Sequence, residues 1–344
     1  MRLKRPLIAL AVSTALTAGT VLTTTPAFAG ERSACPPPTV IHAHGPEVFP
    51  HSGNYDPRNE TFYVGSLKHS TISAVSLNGT VRTVVDDPEL VSVEAVHVDE
   101  AKNRLLASDV DYGLAEHSSP ATKFKVAAVA GYGLRTGRRL WYADLGALVH
   151  DGKQHLISDI ALAPDGTAYA VDELSPTVFR IDKNGHATVF ATSPLLAGTV
   201  DIPGFLNGIG MSAAAWMPGN YLLIAKADGT LVRLPLDHPG QVSQVRLSQP
   251  LAALTAGIRV LPNGSLAAVS SGLLTHKPAA VQLVHPAGNW SSATVTVTDH
   301  VADPVTSDLA AGPDGATYAL SGGLAALLAG QPNHGFTLIK VRVR

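Results

Sequence analysis

The chain has one cysteine, Cys35, in 344 residues. A lone thiol cannot close an internal disulfide, so stability has to come from a hydrophobic core, which a body of this size builds without staples. Basic runs are absent as well. The 25 Lys and Arg are scattered among 27 Asp and Glu, for a formal net charge of −2. That leaves no phosphate-neutralising stripe and argues against a nucleic-acid partner. A chain with only 15% charged residues and an acidic balance also gives no electrostatic reason to bind an anionic membrane. Nucleophile elbow, P-loop, dinucleotide fingerprint and paired-cysteine zinc motif are all missing. Helical periodicity is almost absent beyond residue 41, which turns attention to strands.

The one long apolar stretch, Leu7 to Leu22, follows Arg2, Lys4 and Arg5 and precedes Pro26-Ala27-Phe28-Ala29. A charged start, a short apolar core broken by Ser and Thr, and small residues before a cut describe an export signal rather than a membrane span. The expectation is a signal peptide over residues 1–29, cleaved near Ala29, and a secreted, extracellular protein with no membrane attachment afterwards. Small residues before Cys35 would suit a lipid anchor, but Glu31 and Arg32 stand where such a signal needs apolar residues. Residues 30–40, with Cys35-Pro36-Pro37-Pro38, read as a Pro-rich leader. Residues 41–344 read as a single domain and a monomer.

Within that domain one phrase recurs six times. It is seen at Ser52-Gly53-Asn54-Tyr55-Asp56, at Val93-Glu94-Ala95-Val96, and at Ile157-Ser158-Asp159-Ile160. It returns at Leu206-Asn207-Gly208-Ile209, Thr255-Ala256-Gly257-Ile258 and Thr306-Ser307-Asp308-Leu309. Strand-and-turn repeats at intervals of roughly 40 to 65 residues predict an all-β, six-bladed β-propeller, one blade per repeat. The third repeat shows the pattern most plainly. Ile157 to Leu162 is the inner strand, Pro164-Asp165-Gly166 its turn, then Thr167 to Val171, Thr177 to Ile181 and, past Asn184-Gly185, His186 to Ala191. The second repeat is stretched by an insertion from Val110 to Lys125, and Ser321 to Gly330 reads as a short helix or a loop. Alternation in Phe336 to Arg344 predicts a last strand that pairs with Thr39 to Ala43, so that the N- and C-terminal strands close the ring.

Inner strands of a propeller line a central channel, so the residues that open the repeats gather at one mouth. The candidate ligand-binding ring is His51, Glu94, Ser158, Asn207 and Asp308, with Asp159 and Ala256 beside it.

Several of these phrases carry a resemblance. Pro50-His51-Ser52-Gly53-Asn54-Tyr55-Asp56-Pro57 with Phe62-Tyr63-Val64-Gly65-Ser66 is similar to the first blade of SMP-30/gluconolactonase-like proteins. Asp159-Ile160-Ala161 with Ala168-Tyr169-Ala170-Val171-Asp172, and Leu206-Asn207-Gly208-Ile209, resemble later blades of the same family, and NHL-like propellers are also similar. The resemblance implies one divalent cation, calcium or zinc, at the channel mouth and hydrolysis of lactones or related esters. Its first-blade acid falls on His51, its third-blade Asn on Ser158, its fourth-blade Asn on Asn207 and its fifth-blade Asp on Ala256. Only Asn207 keeps the family's residue type, and a hard cation needs six or more oxygens. The expected metal site is therefore degenerate, or re-formed from Asn207, Asp159, Glu94 and His51, with Asp159 as a general base.

Each candidate also has a plain structural reading. Asn207-Gly208 is a turn dipeptide, Asp159 and Asp308 are suited to capping strand ends, and Glu94 changes face if the register slips by one. His42 and His44 alternate on one strand face as a possible metal pair, and Asp109 with Asp111 could hold calcium or be solvated turn acids. The favoured function is a secreted small-molecule-binding propeller. The alternatives are a metal-dependent lactone or ester hydrolase and a protein-interaction scaffold that uses the Val110 to Lys125 insertion.

Overall fold

The computed structural model describes residues 36–343. The signal segment, Cys35 and the first part of the leader lie outside those residues.

Six sheets stand around a central axis, and each begins with an inner strand. The first blade comprises Gly53–Asp56, Thr61–Gly65, Thr71–Ser76 and Val81–Asp86. The second is Ser92–Asp99, Arg104–Val110, Ala127–Gly133 and Arg139–Asp144, and the third Ile157–Leu162, Ala168–Asp172, Thr177–Ile181 and Ala187–Thr192. The fourth runs through Met211–Met217, Tyr221–Lys226, Leu231–Pro235 and Ser243–Gln244. In the fifth, Thr255–Val260, Leu266–Ser270, Ala279–Ala287 and Ser292–Val301 gain a short parallel strand, Arg246–Leu247. The sixth combines Asp308–Ala311, Thr317–Ser321 and Gly335–Val341 with the N-terminal strand Val40–His44. Val40 pairs with Ile339 and His44 with Gly335, so the ring closes between the two ends of the chain as the alternation predicts.

Burial follows position in the blade. The second strands Arg104–Val110 and Ala168–Asp172 are buried at every residue, because a neighbouring blade covers each face. Most of the apolar core consequently lies between blades. Phe62 and Val75 of the first blade pack with Tyr318 and Leu320 of the sixth. Tyr63 and Ile72 face Leu105 and Tyr132 of the second blade, and Leu106 and Val129 face Ile160 and Phe179 of the third. Hairpin turns supply the tight corners. At Gly79, φ is +87° and a Cβ would stand 2.0 Å from the His42 carbonyl oxygen, so glycine is required there on two counts.

Polar side chains join the inner strands around the ring. Ser52 Oγ accepts from the amide of Val96, and Asn54 Oδ1 from that of Val98. Ser158 donates to the Met211 carbonyl at 2.9 Å and Ser212 to the Thr255 carbonyl at 2.5 Å. At the other end of the strands, arginines latch three of the blades to the next one. Arg58 reaches the Glu100 carbonyl, Arg104 the carbonyls of Lys183 and Gly166, and Arg259 the Gly315 carbonyl and the Thr317 hydroxyl.

The fourth blade departs from the sequence reading. Leu206–Ile209 does not open it but pairs with Val200–Ile202 in a separate two-stranded hairpin. The inner strand starts at Met211, with a register break at Ser212 matching those at Ser158 and Ala256. The extra hairpin carries its own alternation and an Asn-Gly pair, which mimic a blade opening, whereas Met211–Met217 has no turn residue at its start.

Candidate functional site

At the mouth where the inner strands begin, three insertions rise from the ring and converge. They are residues 111–126 of the second blade, the hairpin of residues 200–209, and the segment 322–334 with its helix Leu324–Leu328. All three follow strands that end on this face, which is why additions widely separated in sequence meet. Together with the inner strands they enclose a pocket of about 740 Å³, counted with the solvent at its mouth. Its walls are largely apolar: Leu114 from the first insertion, Ile202, Phe205 and Leu206 from the hairpin, Leu324 and Leu328 from the helix. Leu67, Leu254 and Leu273 add to them. Tyr112 and Phe205 stack with ring centroids 6.0 Å apart, and Phe124 meets Phe205 edge-on.

A cluster of acids lines the same space. Tyr112 Oη lies 2.9 and 2.8 Å from the two oxygens of Glu94 and 2.9 Å from Glu173 Oε2. Glu94 sits in the register break of the second inner strand and is 2% exposed, and Glu173 follows the second strand of the third blade. One phenolic proton serves two carboxyl groups. Burial, and then the charge of Glu173, push Glu94 well above the carboxylate range, and burial raises Glu173 to about 7. His51 Nδ1 stands 3.5 Å from Glu94 Oε1, but burial lowers the imidazole to about 4. With Glu94 raised and His51 lowered, the contact is between neutral groups and is not an ion pair.

Asp159 and Asp308 have other employment. Asp159 accepts from the amides of Ile160 and Ala214, each at 2.8 Å, and meets His97 Nε2 at 3.0 Å. It thereby ties the second, third and fourth blades. Asp308 accepts from the amides of Gly53 and Leu309, fastening the sixth blade to the first. Burial and the charge of Asp159 raise Asp308 to about 6. Burial alone would lower His97, but its hydrogen bond to Asp159 prevails and holds it above the usual imidazole value. Neither aspartate lines the pocket. Asp159, expected as a general base, instead has both oxygens committed to holding blades together.

The remaining sequence candidates divide. His51, Glu94, Ser158 and Ala256 do line the pocket. Asn207 is exposed on its hairpin, and its place in the ring is taken by Ser212. His42 and His44 are exposed on the N-terminal strand. Asp109 and Asp111 are fully buried, which overturns the expectation of solvated turn acids. Asp109 accepts from the amides of Val91 and Ser92 and from the Tyr142 hydroxyl, and Asp111 from the Gly113 amide and the Ser118 hydroxyl. Glu173 and Tyr112 were visible only as a strand end and an insertion residue, with no local signal joining them.

The donor set does not suit the divalent cation that the family resemblance implies. Ala256 offers no ligand atom, Asn207 is exposed and does not line the pocket, and the oxygens of Asp159 and Asp308 are occupied by amides. Among the described residues, no three His, Cys, Asp or Glu side chains converge on a point that could hold a metal ion.

No family model and no curated protein sequence matches the chain. Solved structures do. Mala s 1, a major allergen of Malassezia sympodialis, is 16% identical over 89% of this chain and 96% of its own, with a TM-score of 0.71. A protein inferred to be a gluconolactonase is 16% identical over 90% of this chain and 94% of its own, at 0.55. Regucalcin of Agrobacterium tumefaciens, a calcium-binding protein, is 16% identical over 87% of this chain and 92% of its own, also at 0.55. The chain is thus a six-bladed β-propeller that shares its fold with gluconolactonase- and regucalcin-type proteins of the SMP-30 kind.

Proposed function

We propose that this chain is a secreted small-molecule-binding propeller that takes an apolar-bodied ligand into the mouth pocket without a metal ion. One observation carries the reading: a largely apolar chamber, built by three convergent insertions, into which the two acids Glu94 and Glu173 project around the Tyr112 hydroxyl. Pockets of this composition bury the body of a ligand against hydrocarbon and orient it by a small number of polar contacts. The insertion of residues 111–126 supports this use rather than that of a free docking arm. Its Tyr112 and Leu114 point into the pocket, and its Glu116 amide is bonded to the Lys68 carbonyl. The signal-like start of the sequence supports export.

The test is calorimetric titration of the mature protein with medium-chain alcohols, in the presence and absence of a chelator. Saturable binding at one site, unaffected by the chelator and abolished by Leu206→Glu, is the expected result. No binding by the wild-type protein, or binding only after a divalent cation is added, would overturn the reading.

A further inference from the structure

The polar end of the pocket has acceptors in excess. Glu94 and Glu173 bring four carboxyl oxygens, and their side chains receive one hydrogen bond donor among the described residues, the Tyr112 hydroxyl. A hydroxyl has one proton, so its three short contacts cannot all be hydrogen bonds at once. When it is directed at Glu173, the almost wholly buried Glu94 faces the pocket with no donor but the proton it holds while the pocket is empty, a proton that a bound cation would release. Among the described residues, no lysine or arginine lines the chamber. Besides these two acids and Tyr112, the only titratable lining group among the described residues is His51, and burial keeps that imidazole uncharged at neutral pH. Buried acceptors without donors are a cost that a complementary ligand relieves.

We infer that the ligand is an amphiphilic primary amine whose ammonium group is held between Glu94 and Glu173 while its apolar body lies against the leucine-lined wall. This rests on the pocket being a ligand site, as proposed above. An ammonium supplies three donors and a positive charge, matching a pair of acids with free oxygens. An alcohol provides a single proton and no charge. A fatty carboxylate would add a third acid to the two present and has no cation to meet. The chemistry therefore ranks the three head groups on one alkyl chain: amine, alcohol, carboxylate.

Calorimetric titration at pH 7.5 with octylammonium, 1-octanol and octanoate, each in the monomeric range, reads that order directly. The expected result is octylammonium at least tenfold tighter than 1-octanol, with octanoate weakest. In a Glu94→Gln/Glu173→Gln variant, the advantage of the amine over 1-octanol should vanish. Amine and alcohol of equal affinity in the wild type, tighter octanoate, or an amine preference that survives in the double variant would overturn the inference and leave the pocket reading standing. Failure of all three probes would instead remove the pocket reading itself. Glu94→Ala/Glu173→Ala provides a second route should the amide variant misfold, with the same outcomes.

Discussion

Glu94 and Glu173, from adjacent blades, are joined through one hydroxyl: Tyr112 Oη lies 2.8 Å from Glu94 Oε2 and 2.9 Å from Glu173 Oε2. Glu94 lies in the register break of an inner strand, and Glu173 follows the end of another strand. Their meeting inside an apolar chamber is what gives this mouth of the propeller a chemistry different from that of the rest of the ring.

That meeting has a pH signature. Burial holds Glu173 at about 7 and Glu94 above its ordinary value, against 4.5 for an ordinary glutamate, so the folded protein binds protons that the unfolded chain has released. Where the folded state holds more protons, stability falls as pH rises. The unfolding free energy should therefore decline from about pH 4.5 to about 7, by up to about 1.4 kcal/mol per pH unit for each group. Asp308 and Asp109, both raised to about 6 by burial, act in the same direction, so the comparison with Glu94→Gln/Glu173→Gln isolates the pair. Urea denaturation across that range should give a shallower slope for the double variant. Parallel slopes would mean that the pair is ionised in the folded state.

Tyr112→Phe should act on the same cluster in a different way. It removes the one donor and leaves two buried carboxyl groups facing hydrocarbon. A loss of about 1–3 kcal/mol is expected for an unsatisfied buried group. The ring and its stacking on Phe205 remain, so melting should still be cooperative. An unchanged denaturation midpoint would show that the hydroxyl has no part in holding the acids.

How much of this could be read in advance depends on distance along the chain. The strands Ile157–Leu162 and Thr177–Ile181 were legible to the residue, because alternation is local and Pro164-Asp165-Gly166 marks its own turn. Ring closure was legible for the same reason, from alternation at both ends. The fourth blade was misplaced because an inserted hairpin imitates a strand opening. Glu94 was found because it opens a repeat. Glu173 and Tyr112, 61 positions apart, could not be joined to it, since their contact depends on how an insertion folds over the ring. Asp159 and Asp308 look alike as ligands or as struts in sequence. Only the amides bonded to them separate the two roles.

Metal dependence offers a direct contrast between those roles. Asn207 is exposed and makes no part of the pocket wall, so Asn207→Ala should change stability by no more than about 0.5 kcal/mol, as for ordinary surface positions, and leave octanol binding intact. Chelation, and added calcium or zinc, should leave the melting temperature unchanged. A stabilising shift with a cation, lost in Asn207→Ala, would restore the metal site expected from the family resemblance.

A buried histidine–aspartate contact outside the pocket should give a fall in stability in the same direction but in a higher pH window. His155 Nδ1 lies 2.6 Å from Asp172 Oδ2, and Nε2 lies 3.0 Å from Asp151 Oδ1. The hydrogen bond to Asp172 raises His155 to about 9 against burial, from an ordinary 6.5. Burial pushes Asp172 upward, while His155 and the amides of Leu156 and Leu174 draw it down. A histidine held above its unfolded value contributes stability that is complete below about pH 6.5 and is lost as pH rises through about 9. Stability should thus fall across that window in the wild type and stay level in His155→Gln. Asp172→Asn leaves the histidine without its buried partner and should cost about 3–5 kcal/mol at pH 6. At pH 10, where the imidazole is neutral in the folded and unfolded chains alike, the penalty should shrink by the part due to charge. Equal penalties at the two pH values would mean that His155 is neutral throughout and that the contact is a hydrogen bond between uncharged groups.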